Sequence, residues 1–279
     1  MKIAPCLLLC FGLLTVCNGK CWKRNNWGRF KFDSANAIDL THEVNEDAAV
    51  WPTDLSLGYK LIQHVKGIVS NGPFKFFLDS NSFSANTLTG THVDAPSHFN
   101  AERNQAQDIH LKGMIGPGVL IDMTKDGVPM PREALITKED IRAWERKNGR
   151  IREDTIVLFR TGYGDLYWND RNGYYGTKVR GPAAALDLHV PGLHFEAAEW
   201  LIKKRCIAAV GIDIFTIDRG QDLNFPTHRV FADANIAVYE DLANLDQLVE
   251  HQKKFFVFAM PLKLKGAAGS PIRIVAYPQ

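Results

Sequence analysis

The 279-residue chain is 46% hydrophobic and 23% charged, with 33 basic against 31 acidic residues and a formal net charge of +2. This is globular composition with ample apolar material for a core, which excludes wholesale disorder. The near balance of charge, with no basic run or aromatic-interleaved basic patch, excludes nucleic acid and leaves a small molecule or a protein as partner.

Lys2, the almost uninterrupted apolar run over 3–16 and the small residues at Cys17-Asn18-Gly19 read as a signal peptide over residues 1–19, cleaved near Gly19. The run is too short for a membrane span, which needs about 20 apolar residues, and no later segment is long enough. A secreted, extracellular protein is expected. Residues 20–36 read as a polar, aromatic N-terminal arm and 37–279 as one domain, without internal repeat or linker. The mature chain keeps two cysteines. Cys21 and Cys206 pair in an oxidising compartment, or Cys206 is a buried free thiol in its apolar run.

Ala37 to Leu40 reads as a short strand ending at Thr41-His42, where His42 either stands behind a site or simply ends the strand. Trp51-Pro52 marks a turn. Tyr59 to Val69 and Phe74 to Leu78 suit strands of a sheet leading into the next stretch. Residues 115–118 (IGPG) read as a turn and Val119 to Met123 as a buried strand. Thr137 and Asp140 form a loose capping box for a helix through Ile141 and Trp144. Thr155 to Arg160 is a buried strand, and Asp165 to Ala185 reads as a long surface loop. Phe195 to Lys204 has helical spacing, and Ile207 to Ile212 is a strand followed by an exit carrying Asp213 and Asp218. Thr227 is the expected N-cap of a short helix. Strands over 235–239 and 255–260, a loop or helix over 242–248, and a glycine-rich turn with a closing strand over 266–274 complete the chain. Strands alternating with a few helices predict an α/β fold with a mixed sheet core and peripheral helices.

Residues 90–99, GTHVDAPSHF, concentrate the chemistry: His92, Asp94 and His98 bind metals or move protons. On a strand over 88–94, the two-residue period would put Leu88, Gly90, His92 and Asp94 on one face. For so short a motif the alternative is a solvated turn. Downstream, His228 at a helix start and Glu240 at a strand end occupy positions that converge in clefts of α/β folds. With Asp94 they make one imidazole and two carboxylates, a set suited to Zn or Mn. The alternative is that His228 caps its helix and Glu240 pairs with a surface cation.

GTHVDAPSHF resembles the signature of the metal-dependent cyclase family, which includes bacterial-type kynurenine formamidase and isatin hydrolase. DLTH at 39–42, Trp51-Pro52, LFRTGYG at 158–164, HVPGL at 189–193, VGID at 210–213, FPTH at 225–228, EDLANL at 240–245 and the tail over 266–274 are similar to family blocks, in order from about residue 37. The resemblance implies a swivelling β/β/α fold, assembly as homodimer or homotetramer, and a divalent metal, Zn or Mn, held by His92, Asp94, His228 and Glu240. It implies His98 as general acid/base. The activity implied is hydrolysis of an amide of a small aromatic substrate, N-formyl-kynurenine or a cyclic amide such as isatin. Trp51, Phe83 and Tyr163, with the loop to Tyr175, are candidate walls of an aromatic pocket. The family pattern H-x-G-T-H has a further metal histidine where this chain has Leu88. The competing reading is therefore a secreted, non-catalytic binding protein that lost its metal through Leu88.

Overall fold

A computed structural model describes residues 33–53, 58–252 and 255–279. The expected signal peptide over 1–19, residues 20–32 of the expected N-terminal arm and Cys21 lie outside the described residues.

The strands are β1 (Ile38–Asp39), β2 (Lys60–Asn71), β3 (Phe74–Ser84), β4 (His92–Asp94), β5 (Ile115–Asp122), β6 (Leu135–Ile136), β7 (Ile156–Arg160), β8 (Gly192–Leu193), β9 (Ala209–Ile212), β10 (Ala237–Glu240), β11 (Phe255–Pro261) and β12 (Gly269–Pro278). The helices are α1 (Leu111–Met114), α2 (Lys138–Asn148), α3 (Tyr163–Tyr167), α4 (Arg171–Tyr175), α5 (Phe195–Arg205) and α6 (Pro226–Asp233). The main sheet runs β1-β12-β11-β5-β7-β9-β10-β4, and β4 pairs back onto β12, so the sheet closes into a barrel. β5, β7, β9 and β10 are parallel to their neighbours in this series, whereas β11, β12 and β4 join antiparallel. This is a mixed α/β architecture with few helices, as the sequence pattern predicts.

Alternation along the buried strands separates two apolar clusters. On β7, Ile156 and Leu158 face the barrel interior with Leu120, Tyr239, Val257 and Ile274. Val157 and Phe159 face outward, packing with Ile141 and Trp144 of α2 and Ala198 and Leu201 of α5. The α2 cap is the expected one: Thr137 Oγ1 accepts from the Asp140 N–H at 3.3 Å, and the Asp140 carboxylate accepts from the Thr137 N–H at 2.8 Å.

Several local expectations differ. Residues 115–118 are not a turn but the start of β5, because antiparallel pairing with Phe255 to Phe258 overrides local turn propensity. Residues 165–185 are not one open loop: α3, α4 and a 3-10 turn at Pro182–Leu186 occupy much of the span, and Tyr174 and Tyr175 are buried. β2 and β3 form a separate two-stranded ribbon rather than part of the main sheet. Cys206 is exposed, at the end of α5 in a left-handed conformation with φ 51°, and is not a buried thiol. No helix among the described residues is long and apolar enough to cross a membrane.

Candidate metal centre and active-site cavity

β4 lies between β10 and β12 and brings distant residues together. His92 is registered opposite Glu240 and Pro271, and Asp94 opposite Val238 and Gly269. Val93 and Tyr239 belong to the interior cluster, so alternation turns His92, Asp94 and Glu240 to the outer face of the barrel. The strand begins only at His92, because Gly90 turns the backbone with φ 60°. Leu88 therefore does not continue the same strand face, yet it still lines the same cavity.

α6 supplies His228 from its first turn. Phe225 is the N-cap, with φ 48°, and Pro226 occupies the first turn. Thr227 is not the cap: its hydroxyl donates to the Leu193 carbonyl at 2.6 Å. The orphan amides of Thr227 and His228 donate instead to the buried Asp218 carboxylate, at 2.7 and 3.1 Å. The same carboxylate meets His228 Nδ1 at 2.6 Å, which makes Nδ1 a donor and aims Nε2 into the site. His92 is oriented alike, with Nδ1 2.7 Å from the Gly90 carbonyl.

Both Nε2 atoms face the same two carboxylates. His92 Nε2 is 3.4 Å from Asp94 Oδ1 and 3.4 Å from Glu240 Oε2. His228 Nε2 is 3.3 Å from Asp94 Oδ2 and 3.1 Å from Glu240 Oε1. The Ile217 N–H holds Glu240 Oε1 at 2.6 Å. The four expected ligands thus form a closed ring, and all are buried.

Burial disfavours charge on each member, and the ring outweighs it. Around His92, desolvation is opposed by the bonds and charges of Asp94 and Glu240, which raise its pKa well above 6.5. Around His228, burial is overcome by the Glu240 charge and the Asp218 and Asp94 bonds, again raising it well above 6.5. Burial would raise Asp94, but its bonds to His228 and His92 hold it far below the usual carboxylate range. Burial likewise opposes the His228 charge at Glu240, and the net shift is downward. The acidic side chains that favour a proton on each imidazole also favour a cation here, so a divalent ion would compete with protons for the two Nε2 atoms.

The donor set fits such an ion. Two imidazoles and two carboxylates are ligands for a borderline divalent metal. Each Nε2 lies 3.1–3.4 Å from one oxygen of each carboxylate, a different oxygen for each histidine, close to the separation of about 3.3 Å between neighbouring ligands on one ion at about 2.0–2.1 Å. Asp94 Oδ1 is buried with no hydrogen-bond partner among the described residues, although it faces His92 Nε2. One atom each from His92, Asp94 and Glu240 also lie within 4.8 Å of one another.

The ring opens into a cavity of about 450 Å³, otherwise walled by Val50, Trp51, Leu88, Phe99, Phe215 and Phe225 among others. His98 lines it from the 3-10 turn at Pro96–His98, with its side chain 31% exposed and Nε2 4.0 Å from Asp94 Oδ2. Trp51 takes its expected place, edge-on to Phe215 with centroids 5.7 Å apart. Two expected walls do not. Phe83 sits exposed on the β2–β3 ribbon, and Tyr163 is buried in the core against Tyr167. His42 does not line the cavity; it stacks on Trp168 at 3.5 Å, and burial followed by the Arg171 charge lowers its pKa to about 4.

Sequence reasoning left Asp218, Asp241, Phe99, Phe215 and Phe225 without a role. Asp241 also lines the cavity, 3.9 Å from His92 Nδ1, accepts a hydrogen bond from Tyr174, and is pushed up to about 7 by burial. Only the hydrophobic context of Asp218 and Asp241 could have drawn attention to them.

The chain is similar to known proteins. The Cyclase family model matches residues 38–219. Isatin hydrolase from Roseibium aggregatum is 31% identical over 215 residues, covering 74% of this chain and 76% of that protein. Kynurenine formamidase from Bacillus mycoides is 26% identical over 243 residues, covering 86% and 97%. The solved structure of isatin hydrolase A from Ralstonia solanacearum superposes with a TM-score of 0.73 at 29% identity, covering 86% and 90%. The chain belongs to the cyclase family.

Proposed function

We propose that this protein is a metal-dependent hydrolase that cleaves the carbon–nitrogen amide bond of a small aromatic substrate. Its substrate is N-formyl-kynurenine, giving kynurenine, or an isatin-type cyclic amide. The observation that carries the reading is the ring of His92, Asp94, His228 and Glu240 at the wall of an aromatic cavity, with His98 beside it. The relatives that bear isatin hydrolase and kynurenine formamidase names support it.

The ring residues hold a divalent metal, which we assign as Zn or Mn from the mixed imidazole and carboxylate donors. When bound, the ion supplies Lewis acidity that polarises a carbonyl and acidifies water. Asp218 and the Gly90 carbonyl keep the two imidazoles in the ligating tautomer. The apolar walls seat the aryl ring and exclude bulk water. His98, partly exposed and thus able to exchange protons with solvent, takes the proton of the attacking water and returns it to the leaving nitrogen. The water oxygen bonds to the carbonyl carbon as the carbon–nitrogen bond breaks.

The non-catalytic alternative is disfavoured by the retained ring, since four buried ionisable groups without a ligand to share are costly to keep. For assembly we propose a homodimer or homotetramer joined through the β2–β3 ribbon. The ribbon pairs with no other strand among the described residues, and exposes Ile62, Phe74, Phe76 and Leu78 on one face. A two-stranded ribbon is marginal alone in water. Light scattering tests this assembly. We also propose that residues 1–19 direct secretion, on the composition of that segment; N-terminal sequencing of secreted protein tests it. The functional test is an assay of purified, metal-supplemented protein against N-formyl-kynurenine and isatin side by side, with turnover of at least one expected.

A further inference from the structure

A second space of about 280 Å³ adjoins the metal cavity. Trp51, Thr53 and Phe225 line both, and the Trp51 and Phe225 rings stand 5.7 Å apart between them. Among the described residues lining the two spaces, Arg219 is the one Lys or Arg. The larger cavity offers imidazoles, carboxylates and apolar walls. The smaller offers a cation, paired on one side with the Asp222 carboxylate that lines the same space.

Arg219 is fixed relative to the metal ring. It follows Asp218, the residue that orients His228, so the two Cα atoms are about 3.8 Å apart across one peptide. Its turn is pinned by the Asp222 N–H donating to the Arg219 carbonyl at 2.8 Å and the Gly220 N–H donating to the Val190 carbonyl at 3.2 Å. Its Nη2 donates to Asp222 Oδ1 at 2.7 Å. Its Nε is buried with no hydrogen-bond partner among the described residues. An unmet guanidinium donor is costly, and the planar fork is suited to a carboxylate with two acceptors. Asp222 holds one corner of the fork and leaves the rest to a ligand.

We infer that Arg219 forms a subsite for a carboxylate on the tail of the substrate. The aryl amide occupies the larger cavity beside the metal ring, and its tail passes the Trp51 and Phe225 rings to the guanidinium. This rests on the hydrolase reading above and narrows it to aryl amides that carry a carboxylate. N-formyl-kynurenine has such a tail; isatin does not.

The test compares metal-loaded wild type, Arg219→Gln and Arg219→Lys on N-formyl-kynurenine and on formanilide, an aryl formamide without a carboxylate. The ratio of kcat/KM for the first over the second is expected to fall about 30-fold in Arg219→Gln, through KM, and to recover partly in Arg219→Lys. Calorimetric binding of L-kynurenine gives a readout independent of turnover, with Kd expected to rise by a similar factor in Arg219→Gln. A ratio and a Kd both unchanged within about 3-fold overturn the subsite, as does a wild type that does not bind L-kynurenine. If neither amide nor isatin is turned over but Arg219→Gln still weakens L-kynurenine, the hydrolase reading fails and the subsite stands. If formanilide is hydrolysed and L-kynurenine binds both proteins alike, the subsite fails and the hydrolase reading stands. Should Arg219→Gln not fold, the Arg219→Lys ratio and Kd decide: a fall intermediate in size supports the subsite, and none overturns it.

Discussion

Asp218 Oδ2 lies 2.6 Å from His228 Nδ1 while the other oxygen of the carboxylate accepts from the Thr227 amide, so one buried acid both caps α6 and aims an imidazole at Asp94 and Glu240. Removing that acid should act on the metal before it acts on chemistry. Asp218→Asn is expected to weaken divalent metal affinity about 10- to 100-fold, measured by competition with a chelating dye. Unchanged affinity would mean that the pairing serves only the helix cap.

Metal uptake should release protons. His92 and His228 both have pKa values raised well above 6.5 in the metal-free ring, and both must lose their protons to ligate. Affinity is therefore expected to fall as pH falls through neutrality. The linkage also has a stability sign. A raised histidine pKa stabilises the metal-free fold fully below about 6.5 and loses that contribution as pH rises through the raised values. Metal-free protein should thus lose thermal stability on the alkaline side more steeply than metal-loaded protein, which differential scanning calorimetry in matched buffers can check.

His98 stands beside the ring rather than in it, 4.0 Å from Asp94. His98→Ala is expected to lower kcat about 100- to 10,000-fold while leaving bound metal unchanged. Steady-state kinetics with metal analysis of the same sample separates the two effects. An unchanged kcat would rule out the proton shuttle.

Leu88 fills the cavity wall beside the ring and packs over Gly269, where an added Cβ would sit 2.3 Å from Leu88 Cδ2 and 2.5 Å from the Val93 carbonyl. Gly269→Ala should therefore cost about 1–3 kcal/mol by overpacking, read from denaturant midpoints. Leu88→His places a donor on that wall and is expected to raise metal content per chain and the hydrolase rate, read by elemental analysis and assay.

How much of this was legible beforehand divides along physical lines. GTHVDAPSHF announced itself because three chemically active side chains within seven residues are dense, and the period of a strand made His92 and Asp94 neighbours. The barrel itself was only partly visible. Alternation identified buried strands such as β7, but nothing local says that β4 will bridge β10 and β12, the pairing that sets His92 against Glu240. The partner roles of Asp218 and Asp241 depend on contacts between segments far apart in the chain, so periodicity carries no trace of them. Tyr163 and Phe83 were misplaced for a different reason: an aromatic residue reads the same whether it lines a pocket, fills a core or lies on an exposed ribbon, and only packing decides.

The most direct test strips the protein of metal with a chelator, then adds Mn or Zn stepwise while following hydrolysis of N-formyl-kynurenine and isatin. Negligible rate is expected without metal, with a rise to a plateau at about one ion per chain as the ring fills. Full hydrolysis by the stripped protein, or no hydrolysis of either amide with the ring fully loaded, would contradict it.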